Sequence, residues 1–346
     1  MSAPVRIGLV GFGSGGRHFH APLIASAQEC ELVGVVTTSA ERQALVAERL
    51  PGTATFPDLE ALAAAGAEAV AVSTPADTHV PLTQEALRLG LAVVCDKPFA
   101  LDARSARETV ELAESLGLLV TAYQNRRWDS DFLTVRRLAD DGALGELTRF
   151  ESRFERFRPG KAPGAAGGGT LRDLGTHLVD QALVLNGPAT SVYAEVHPFQ
   201  DDEAALDDDV FVALTHAGGA RSHLWASSRQ GAPGPRFRVA GTTGTYVVGG
   251  LDGQEARLLA GRSPATDGAD WGSEPEQSWG RLHRGDDGEV VPTARGAWDG
   301  FYPAFAAAVR GTAPLPVDPW DAVATATVLD AARASAATGQ VVALTA

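Results

Sequence analysis

The segment GGGTLRDLGTHLVDQAL, residues 167–183, carries polar residues at a spacing that could support proton transfer. At about 100° per residue, a helix here places Asp173, His177, Asp180 and Gln181 on one face. A carboxylate four residues from an imidazole can orient it or stabilise its charge, as catalytic dyads require. The glycine run lets other chain segments approach the start of the helix closely. We therefore predict that Asp173 and His177 are catalytic and contact a substrate.

Two ordinary interpretations of this pair stay open. The sequence TLRD resembles a capping box, with Thr170 at the N-cap and Asp173 three positions later, although Glu or Gln is the usual residue there. A single histidine such as His177 is more often a core or surface residue than a catalytic one. The catalytic interpretation therefore depends on the pair and not on either residue alone.

Lysine is nearly absent from this chain, because only Lys97 and Lys161 among its 29 basic residues are not arginine. Arginine stays protonated in proteins, whereas lysine can release a proton. Lys161 lies in a Gly/Pro/Ala loop, where chance explains it. Lys97 follows the predicted strand LAVVCD (91–96), and ligands bind at the carboxyl ends of strands in open α/β sheets. We predict that Lys97 is catalytic, with a solvated surface charge as the alternative.

A G-x-G-x-x-G spacing occurs at Gly11, Gly13 and Gly16, after the apolar strand VRIGLV (5–10) and before a predicted helix over 15–27. In a βαβ unit this pattern is typical of dinucleotide binding. The first glycine allows a tight turn, the second lets backbone approach a diphosphate, and the third permits close helix packing. A plain glycine-rich turn is the alternative in a chain with 38 glycines.

The residues after the second strand indicate which dinucleotide binds. NAD-binding versions carry Asp or Glu there, which bonds the ribose 2′-hydroxyl. This chain has VVTTSAER, in which Thr37, Thr38 and Ser39 are neutral and Arg42 lies within one turn. No carboxylate would repel a 2′-phosphate, so we predict NADP, with NAD as the alternative. In the ordinary interpretation, Thr38 and Ser39 simply cap the next helix.

The pattern of elements predicts two domains for 346 residues. Residues 1–124 alternate strands and helices, which is typical of a Rossmann-type, doubly wound parallel sheet in the α/β class. Residues 125–346 contain strands without intervening helices, which indicates an α+β domain with a large open, mostly antiparallel sheet. Within it, 251–296 is expected to be a long surface excursion. A one-sided sheet needs a cover, so we expect a homo-oligomer, a dimer or a tetramer.

Composition argues against several classes of partner. The net charge of −14 disfavours nucleic acid and acidic membranes. No apolar run approaches the ~20 residues of a membrane span, and no signal peptide is visible. The two cysteines, Cys30 and Cys95, form no Cys/His ligand spacing, so we expect a cytoplasmic protein without a metal site.

Together these motifs resemble the Gfo/Idh/MocA family of nicotinamide-dependent oxidoreductases. The resemblance lies in GFGSGG, STPADTH, CDKP and DLGTH, where Asp96 stands in place of the family's usual Glu. Segments 123–138, 169–183 and 249–264 are similar to the NADP-dependent scyllo-inositol dehydrogenase group. The resemblance therefore extends over nearly the whole chain.

The resemblance implies a Rossmann domain followed by a domain with an open-faced antiparallel sheet. It implies that Lys97 and His177 flank the reacting carbon, with Asp173 binding a substrate hydroxyl. By position, it places at the junction of cofactor and substrate the residues Asn125, Arg126 and Trp128.

Two sets of site residues follow from the motifs and the resemblance. The cofactor set is Gly11, Phe12, Gly13, Ser14, Gly15, Gly16, Thr37, Thr38, Ser39, Arg42, Ser73, Thr74, Pro75, His79, Asp96, Lys97, Pro98, Asn125 and Trp128. The substrate set is Lys97, Asn125, Arg126, Asp173 and His177.

Two departures from the inositol dehydrogenase pattern concern specificity. Those proteins tend to carry an arginine where this chain has Ser39, so Arg42 would have to substitute for it. Their loop before the GTL helix is longer and contains Trp and Arg, whereas this chain has RPGKAPGAAGG. The resemblance therefore leaves the exact sugar open.

We predict an enzyme that reversibly oxidises a secondary alcohol of a cyclic polyol or sugar with NADP. Either His177 or Lys97 accepts the hydroxyl proton. One alternative is a non-catalytic regulatory protein of the same fold that binds NADP and a sugar, and the intact Lys97, Asp173 and His177 argue against it. A nucleotide-binding methyltransferase would also use a glycine-rich turn, but it gives no reason for these three residues.

Overall fold

The computed structural model describes residues 3–158, 168–198 and 206–344. Lys161 and most of the loop RPGKAPGAAGG lie outside these ranges. Within them, the helices are too short or too polar to cross a membrane.

The first part of the chain alternates strands and helices. In chain order the elements are β1 (Val5–Val10), α1 (Ala21–Ser26), β2 (Cys30–Val36), α2 (Ala40–Arg49), β3 (Ala54–Phe56), α3 (Leu59–Ala64), β4 (Ala69–Val72), α4 (His79–Arg88), β5 (Ala92–Cys95), α5 (Ala103–Leu116) and β6 (Val120–Ala122). A π-helical turn, Gly16–His20, leads into α1, so the helix predicted over 15–27 begins with a wider turn than expected.

Local sequence sets the ends of these helices. Ser39, Asp58 and Asp102 cap α2, α3 and α5, and each side chain accepts a hydrogen bond from a backbone N–H three residues later. α5 ends at Gly117, whose φ of +65° is favourable only for a residue without a Cβ. The ordinary interpretation of Ser39 as a helix cap is thus confirmed, and it leaves open whether Ser39 also binds a ligand.

The second part is richer in strands. Its elements are α6 (Ser130–Asp140), β7 (Leu147–Glu155), α7 (Thr170–Asp173), α8 (Gly175–Asn186), β8 (Ala189–Pro198), β9 (Asp207–His216), β10 (Arg221–Ser227), β11 (Phe237–Gly241), β12 (Thr245–Val248), α9 (Gln254–Leu259), α10 (Pro264–Asp267), β13 (Gly280–Arg284), β14 (Asp287–Val291), α11 (Phe301–Val309), α12 (Pro319–Thr338) and β15 (Val342–Ala343).

Two sheets organise these elements, as predicted. The first sheet is parallel, with the strand order β3-β2-β1-β4-β5-β6. It is doubly wound, because the direction in which the chain adds strands to the sheet reverses between β1 and β4. Its short edge strand β3 was not expected. The second sheet has nine strands in the order β14-β13-β12-β11-β7-β10-β9-β8-β15, and β7 pairs in parallel with β10 while the other pairs are antiparallel.

The chain forms two compact units. The first contains the residues up to Asn125 together with Gln254–Trp271 and Ala297–Val323. The second contains Arg126–Gly253, Gly272–Gly296 and the residues from Ala324 onward. The sequence analysis placed the whole of 125–346 in one domain, whereas two segments of it return to the first unit.

The segment 251–296 is not a surface excursion, and that prediction was wrong. It supplies α9 and α10 to the first unit, where Trp271 is fully buried. It also supplies β13 and β14, which extend the nine-stranded sheet of the second unit. These strands are short, polar and near the sheet edge, so they lack the continuous apolar pattern that marks a central strand.

The nine-stranded sheet has two different faces. Its inner face packs on α6, α8 and the later part of α12 in one apolar core, which includes Phe132, Phe150 and Leu178. Its outer face carries half-buried aromatic residues, among them Phe211 and Trp225. One packed, apolar face and one partly exposed face are expected for a mostly antiparallel sheet that helices cover on a single side.

Candidate functional site

The glycine turn after β1 has a conformation that requires its first and third glycines. Gly11 has a φ of +92°, and a Cβ there would lie 2.5 Å from the Ser73 carbonyl oxygen. A Cβ on Gly16 would clash with the carbonyl oxygen of Gly11. A Cβ on Gly13 would approach only the end of the Arg42 side chain, at 3.1 Å. The backbone at Gly13 is therefore open to a ligand, which fits a bound diphosphate.

A pocket of about 540 Å³ lies at the carboxyl ends of β1, β2 and β4 in the first unit. The residues of the predicted cofactor set that line this pocket are Gly11, Phe12, Gly13, Ser14, Gly15, Thr37, Thr38, Ser39, Arg42, Ser73, Thr74, Pro75 and Asp96. Four further lining residues were not predicted, namely Val10, Val36, Pro57 and Leu82. The other six residues of the predicted set do not line it, namely Gly16, His79, Lys97, Pro98, Asn125 and Trp128.

The end of the pocket at β2 is neutral to basic. Thr37, Thr38 and Ser39 follow the strand, and Arg42 extends from the first turn of α2 toward the glycine turn. The Arg42 Nη1 atom lies 3.1 Å from the position that a Cβ on Gly13 would occupy. A guanidinium here can make charge-assisted hydrogen bonds to a phosphate.

Asp96 follows β5, and three polar groups of the first unit lie close to its carboxylate. Ser73 Oγ donates to its carboxylate at 2.9 Å, and the Lys97 N–H donates at 2.8 Å. His20 Nε2 lies 3.3 Å from Oδ2, while His20 Nδ1 lies 2.6 Å from the Tyr302 hydroxyl. Burial raises the pKa of Asp96, but the charge and hydrogen bond of His20, then the charges of His79 and Lys97, outweigh it. The pKa of Asp96 is thus below its ordinary value, and the carboxylate stays ionised.

His20 was not among the predicted site residues, although it contacts a carboxylate that lines the pocket. Its ring is fully buried and packs at a tilt against the Tyr123 ring, with centroids 4.4 Å apart. The local sequence GRHFHAPL gives no indication of this role, because Tyr302 lies 282 positions away. Burial raises the pKa of Tyr302 well above its ordinary value, so its hydroxyl keeps its proton.

Lys97 is half-buried and is joined to Pro98 by a cis peptide bond. The next carbonyl, that of Pro98, accepts a hydrogen bond from the ring of His79. His79 is buried at the start of α4, and its other ring nitrogen lies 2.9 Å from the Thr74 carbonyl oxygen. His79 therefore contacts the loops that carry Thr74 and Lys97 and not the pocket itself.

In the second unit, Asp173 and His177 do not share one continuous helix. Asp173 is the last residue of α7, α8 begins at Gly175, and Leu174 separates the two. Asp173 is exposed, whereas His177 is buried and only 4% accessible. The continuous helix on which the predicted face depends is therefore interrupted at Leu174.

The capping box that TLRD could form is also absent. Gly169 takes the N-cap position with a φ of +91°, and no side chain caps α7 there. Instead, the Leu171 N–H donates a hydrogen bond of 2.6 Å to Asp207 Oδ2. Asp173 is thus not used as the partner of an N-cap Thr170, and its carboxylate stays exposed at the end of α7.

Asp180 and Gln181, on the same segment as His177, belong to a buried polar network. Arg127 holds Asp180 with two hydrogen bonds, of 2.8 and 2.5 Å. Gln181 donates to the Arg126 carbonyl at 2.8 Å and accepts from Arg236 at 3.0 Å. These bonds fix α8, the helix that carries His177, against residues 126–127 and against Arg236, which directly precedes β11.

The residues predicted at the junction of cofactor and substrate form a 3₁₀ turn, Asn125–Trp128. Asn125 is buried, and Trp128 is half-buried. The Arg126 guanidinium lies 3.2 Å from Asp129 and 4.7 Å above the Phe154 ring. Arg126 therefore already has protein partners in the second unit.

Among the residues that the structure describes, groups of His, Cys, Asp and Glu suited to hold a metal ion are absent.

Two family models match the chain. "Oxidoreductase family, NAD-binding Rossmann fold" matches residues 5–124, and "GFO/IDH/MocA C-terminal domain" matches residues 132–247. The matched segments together cover more than half of the chain.

Individual proteins match over most of their length. The oxidoreductase YdgJ of Escherichia coli (strain K12), which is uncharacterized, is 37% identical over 316 residues, 90% of this chain and 89% of the relative. The scyllo-inositol 2-dehydrogenase (NADP(+)) of Bacillus subtilis (strain 168) is 30% identical over 341 residues, 96% of this chain and 93% of the relative. Among solved structures, an oxidoreductase from Bacillus cereus superposes with a TM-score of 0.88 at 28% identity, covering 99% of each chain.

Proposed function

Because the chain belongs to the Gfo/Idh/MocA oxidoreductase family, we propose that it is an NADP-dependent dehydrogenase that interconverts a secondary alcohol and a ketone on a cyclic polyol or sugar of the inositol type. The observation that carries this proposal is the pocket at the glycine turn, in which Arg42 lies beside Gly13 and the lining residues directly after β2, Thr37 to Ser39, are neutral. The similarity to an NADP-dependent inositol dehydrogenase supports the substrate class.

The residues of the pocket would hold NADP in a definite orientation. The turn from Gly11 to Gly16 offers backbone N–H groups to the diphosphate. Arg42, with the hydroxyls of Thr38 and Ser39, would bind the 2′-phosphate, and charge-assisted bonds of this kind are roughly twice as strong as neutral ones. When bound, the nicotinamide would supply the hydride acceptor for alcohol oxidation.

The proton chemistry is assigned to this chain's own side chains. Lys97 or His177 takes the hydroxyl proton of the alcohol, and a positioned base contributes roughly 10²- to 10⁴-fold in rate. Asp173, which is exposed at the end of α7, binds a second hydroxyl of the substrate. Asn125 and Arg126 complete the substrate contacts, and Trp128 and Asn125 contact the cofactor.

A panel of cyclic polyols and sugars tests the proposal. Each is mixed with the protein and NADP⁺ or NAD⁺, and turnover is followed by nicotinamide absorbance. We expect turnover with an inositol isomer or a related sugar and a preference for NADP⁺. Tight NADPH binding without turnover of any member would instead support a regulatory protein of this fold.

The cofactor preference has its own test in Arg42. Replacing Arg42 by Ala should lower the preference for NADP⁺ over NAD⁺ by about tenfold, because a charge-assisted hydrogen bond is lost. Arg49→Ala is the matched control, since Arg49 is an exposed arginine in the last turn of the same helix. An unchanged preference in Arg42→Ala would remove the NADP assignment.

We also propose that the outer face of the nine-stranded sheet mediates self-association. Phe211, His223 and Trp225 cluster there, and the Arg153 guanidinium lies 3.9 Å above the Trp225 ring. Aromatic and arginine side chains are enriched in protein interfaces.

A further inference from the structure

His79 has an unusual pair of hydrogen-bond partners. Its Nδ1 atom lies 2.7 Å from the carbonyl oxygen of Pro98, and its Nε2 atom lies 2.9 Å from the carbonyl oxygen of Thr74. Both distances are those of good hydrogen bonds. The side chain is 1% exposed, so water does not compete for either nitrogen.

These two partners determine the protonation of the ring. A backbone carbonyl can only accept a hydrogen bond, and a neutral imidazole has only one N–H. If His79 were neutral, one ring nitrogen would direct its lone pair at a carbonyl oxygen in a buried site, where an unsatisfied pair is costly. With both nitrogens protonated, each carbonyl receives a hydrogen bond. The geometry therefore favours an imidazolium cation.

The surroundings of His79 supply a matching negative charge. The titratable groups that act on it are the thiol of Cys95, at the end of β5, and the carboxylate of Asp96 just after it. Burial alone lowers the pKa of His79, but Cys95, Asp96 and the Pro98 carbonyl more than offset it and raise the pKa to about 9. A buried cation beside an ionised carboxylate avoids the full cost of an isolated buried charge.

The two carbonyls belong to loops with different tasks in the proposed enzyme. Thr74 follows β4 and lines the cofactor pocket. Pro98 follows Lys97, the proposed proton-transfer lysine, after β5. Bonds from one rigid ring to both carbonyls fix the distance between the loops. Loops that position reacting groups must be held closely, since a displacement of about 1 Å can cost about a hundredfold in rate.

We propose that His79 is a positioning residue, a cation at neutral pH that ties the Thr74 loop to the Lys97 loop and so sets the place of the Lys97 amine. The catalytic meaning of this inference rests on the proposed function, whereas the charge of His79 and its hold on Lys97 do not. His79 was predicted to contact the cofactor, but both of its ring nitrogens bind backbone carbonyls instead.

Nuclear magnetic resonance tests the charge directly. The protein is labelled with ¹⁵N-histidine, and the His79 ring signals are assigned by their loss in His79→Gln. We expect both ring nitrogens of His79 to carry protons from pH 6 to pH 8. A His79 ring with a single N–H at pH 7 would overturn the proposal.

The hold on Lys97 is measurable without any substrate, because the chain has only two lysines. With ¹³C-lysine labelling, Lys97 and Lys161 give two sets of side-chain signals, assigned through Lys97→Arg. We expect His79→Gln to shift the Lys97 signals and leave those of Lys161 in place. Unchanged Lys97 signals in the folded variant would contradict the positioning role.

Kinetics then separate positioning from simple stabilisation. His79→Phe removes both donors at similar volume, and His79→Gln keeps one of them. We expect kcat to fall by about ten- to a hundredfold in His79→Phe and by less in His79→Gln, with the KM for the alcohol within about threefold. A kcat within about twofold of the parent in both folded variants would refute the role. If no polyol is turned over by the parent, the proposed function fails while the two resonance experiments still decide this inference.

Discussion

The two units hold their candidate chemical groups by different means. In the first unit, the backbone positions these groups, since Gly11 has a φ of +92° and His79 binds two backbone carbonyls. In the second unit, buried side-chain pairs position them, since Arg127 donates two hydrogen bonds to Asp180 on the helix that carries His177. A site fixed by backbone is sensitive to Cβ atoms and φ values, whereas a site fixed by buried charges is sensitive to the loss of one partner.

The largest expected effects come from the proposed proton-transfer groups, one in each unit. Lys97→Met and His177→Ala should each lower kcat by roughly 10²- to 10⁴-fold. NADPH affinity, measured by fluorescence, should change by less than about threefold. Near-parental turnover in either variant would remove that residue from the mechanism.

Breaking the buried ion pair of the second unit should mainly lower stability. In Asp180→Asn, Arg127 loses its charged partner, and breaking a buried pair by changing one member costs about 3–5 kcal/mol. Urea unfolding should show this decrease, whereas Asp140→Asn, an exposed residue on α6, should change stability by less than about 0.5 kcal/mol. Equal unfolding curves for the two variants would show that side-chain pairing does not hold this region.

The pH dependence of stability tests the backbone-bound histidine. Because the pKa of His79 is raised from 6.5 to about 9 on folding, its contribution is complete below pH 6.5 and is lost as pH rises through about 9. The full contribution corresponds to about 3 kcal/mol. Unfolding curves of the parent and His79→Gln should therefore converge between pH 7 and pH 9.5. A constant difference across this range would show that His79 is neutral in the folded protein.

Two glycine substitutions separate conformation from space in the first unit. Gly11→Ala should destabilise the fold by about 1–3 kcal/mol, because its φ and the Ser73 carbonyl both oppose a Cβ. Gly13→Ala should leave the melting temperature near that of the parent and weaken NADPH binding, since its methyl group enters the space open to the diphosphate. Similar melting temperatures for both would contradict this difference.

The smallest effect on activity is expected at the outer face of the nine-stranded sheet. Trp225→Arg should lower the degree of self-association in light scattering, because a second cation beside Arg153 disrupts the aromatic cluster. Thr190→Arg, at the exposed end of β8, is the control. An unchanged oligomeric mass at micromolar concentration would place the interface elsewhere.

The sequence was most informative where a requirement is local. Gly11 and Gly16 are needed by neighbouring backbone, so their spacing between an apolar strand and a helix predicted the turn that the structure contains. Alternating strands and helices likewise predicted the parallel sheet. His20 was missed because its partners come from distant segments. The face expected for Asp173 and His177 assumed an unbroken helix, but the helix is interrupted at Leu174.

The strands β13 and β14 show a second limit of sequence patterns. Edge strands carry polar residues on both faces, so residues 280–291 have no apolar alternation to detect. Their place beside β12 is decided by pairing with the sheet and not by their own composition. The same is true of β3, a three-residue strand at the edge of the other sheet.

The return of residues 297–323 to the first unit bears on how the protein is made. Tyr302, the partner of His20, and the carbonyl of Val317, which accepts a hydrogen bond of 2.7 Å from Thr121, belong to that late segment. A ribosome must therefore synthesise the chain as far as Val317 before the first unit gains these two contacts. A gene fragment that stops after codon 124 would encode the first unit without the segment 297–323. The two units are therefore expected to be inherited together in one gene.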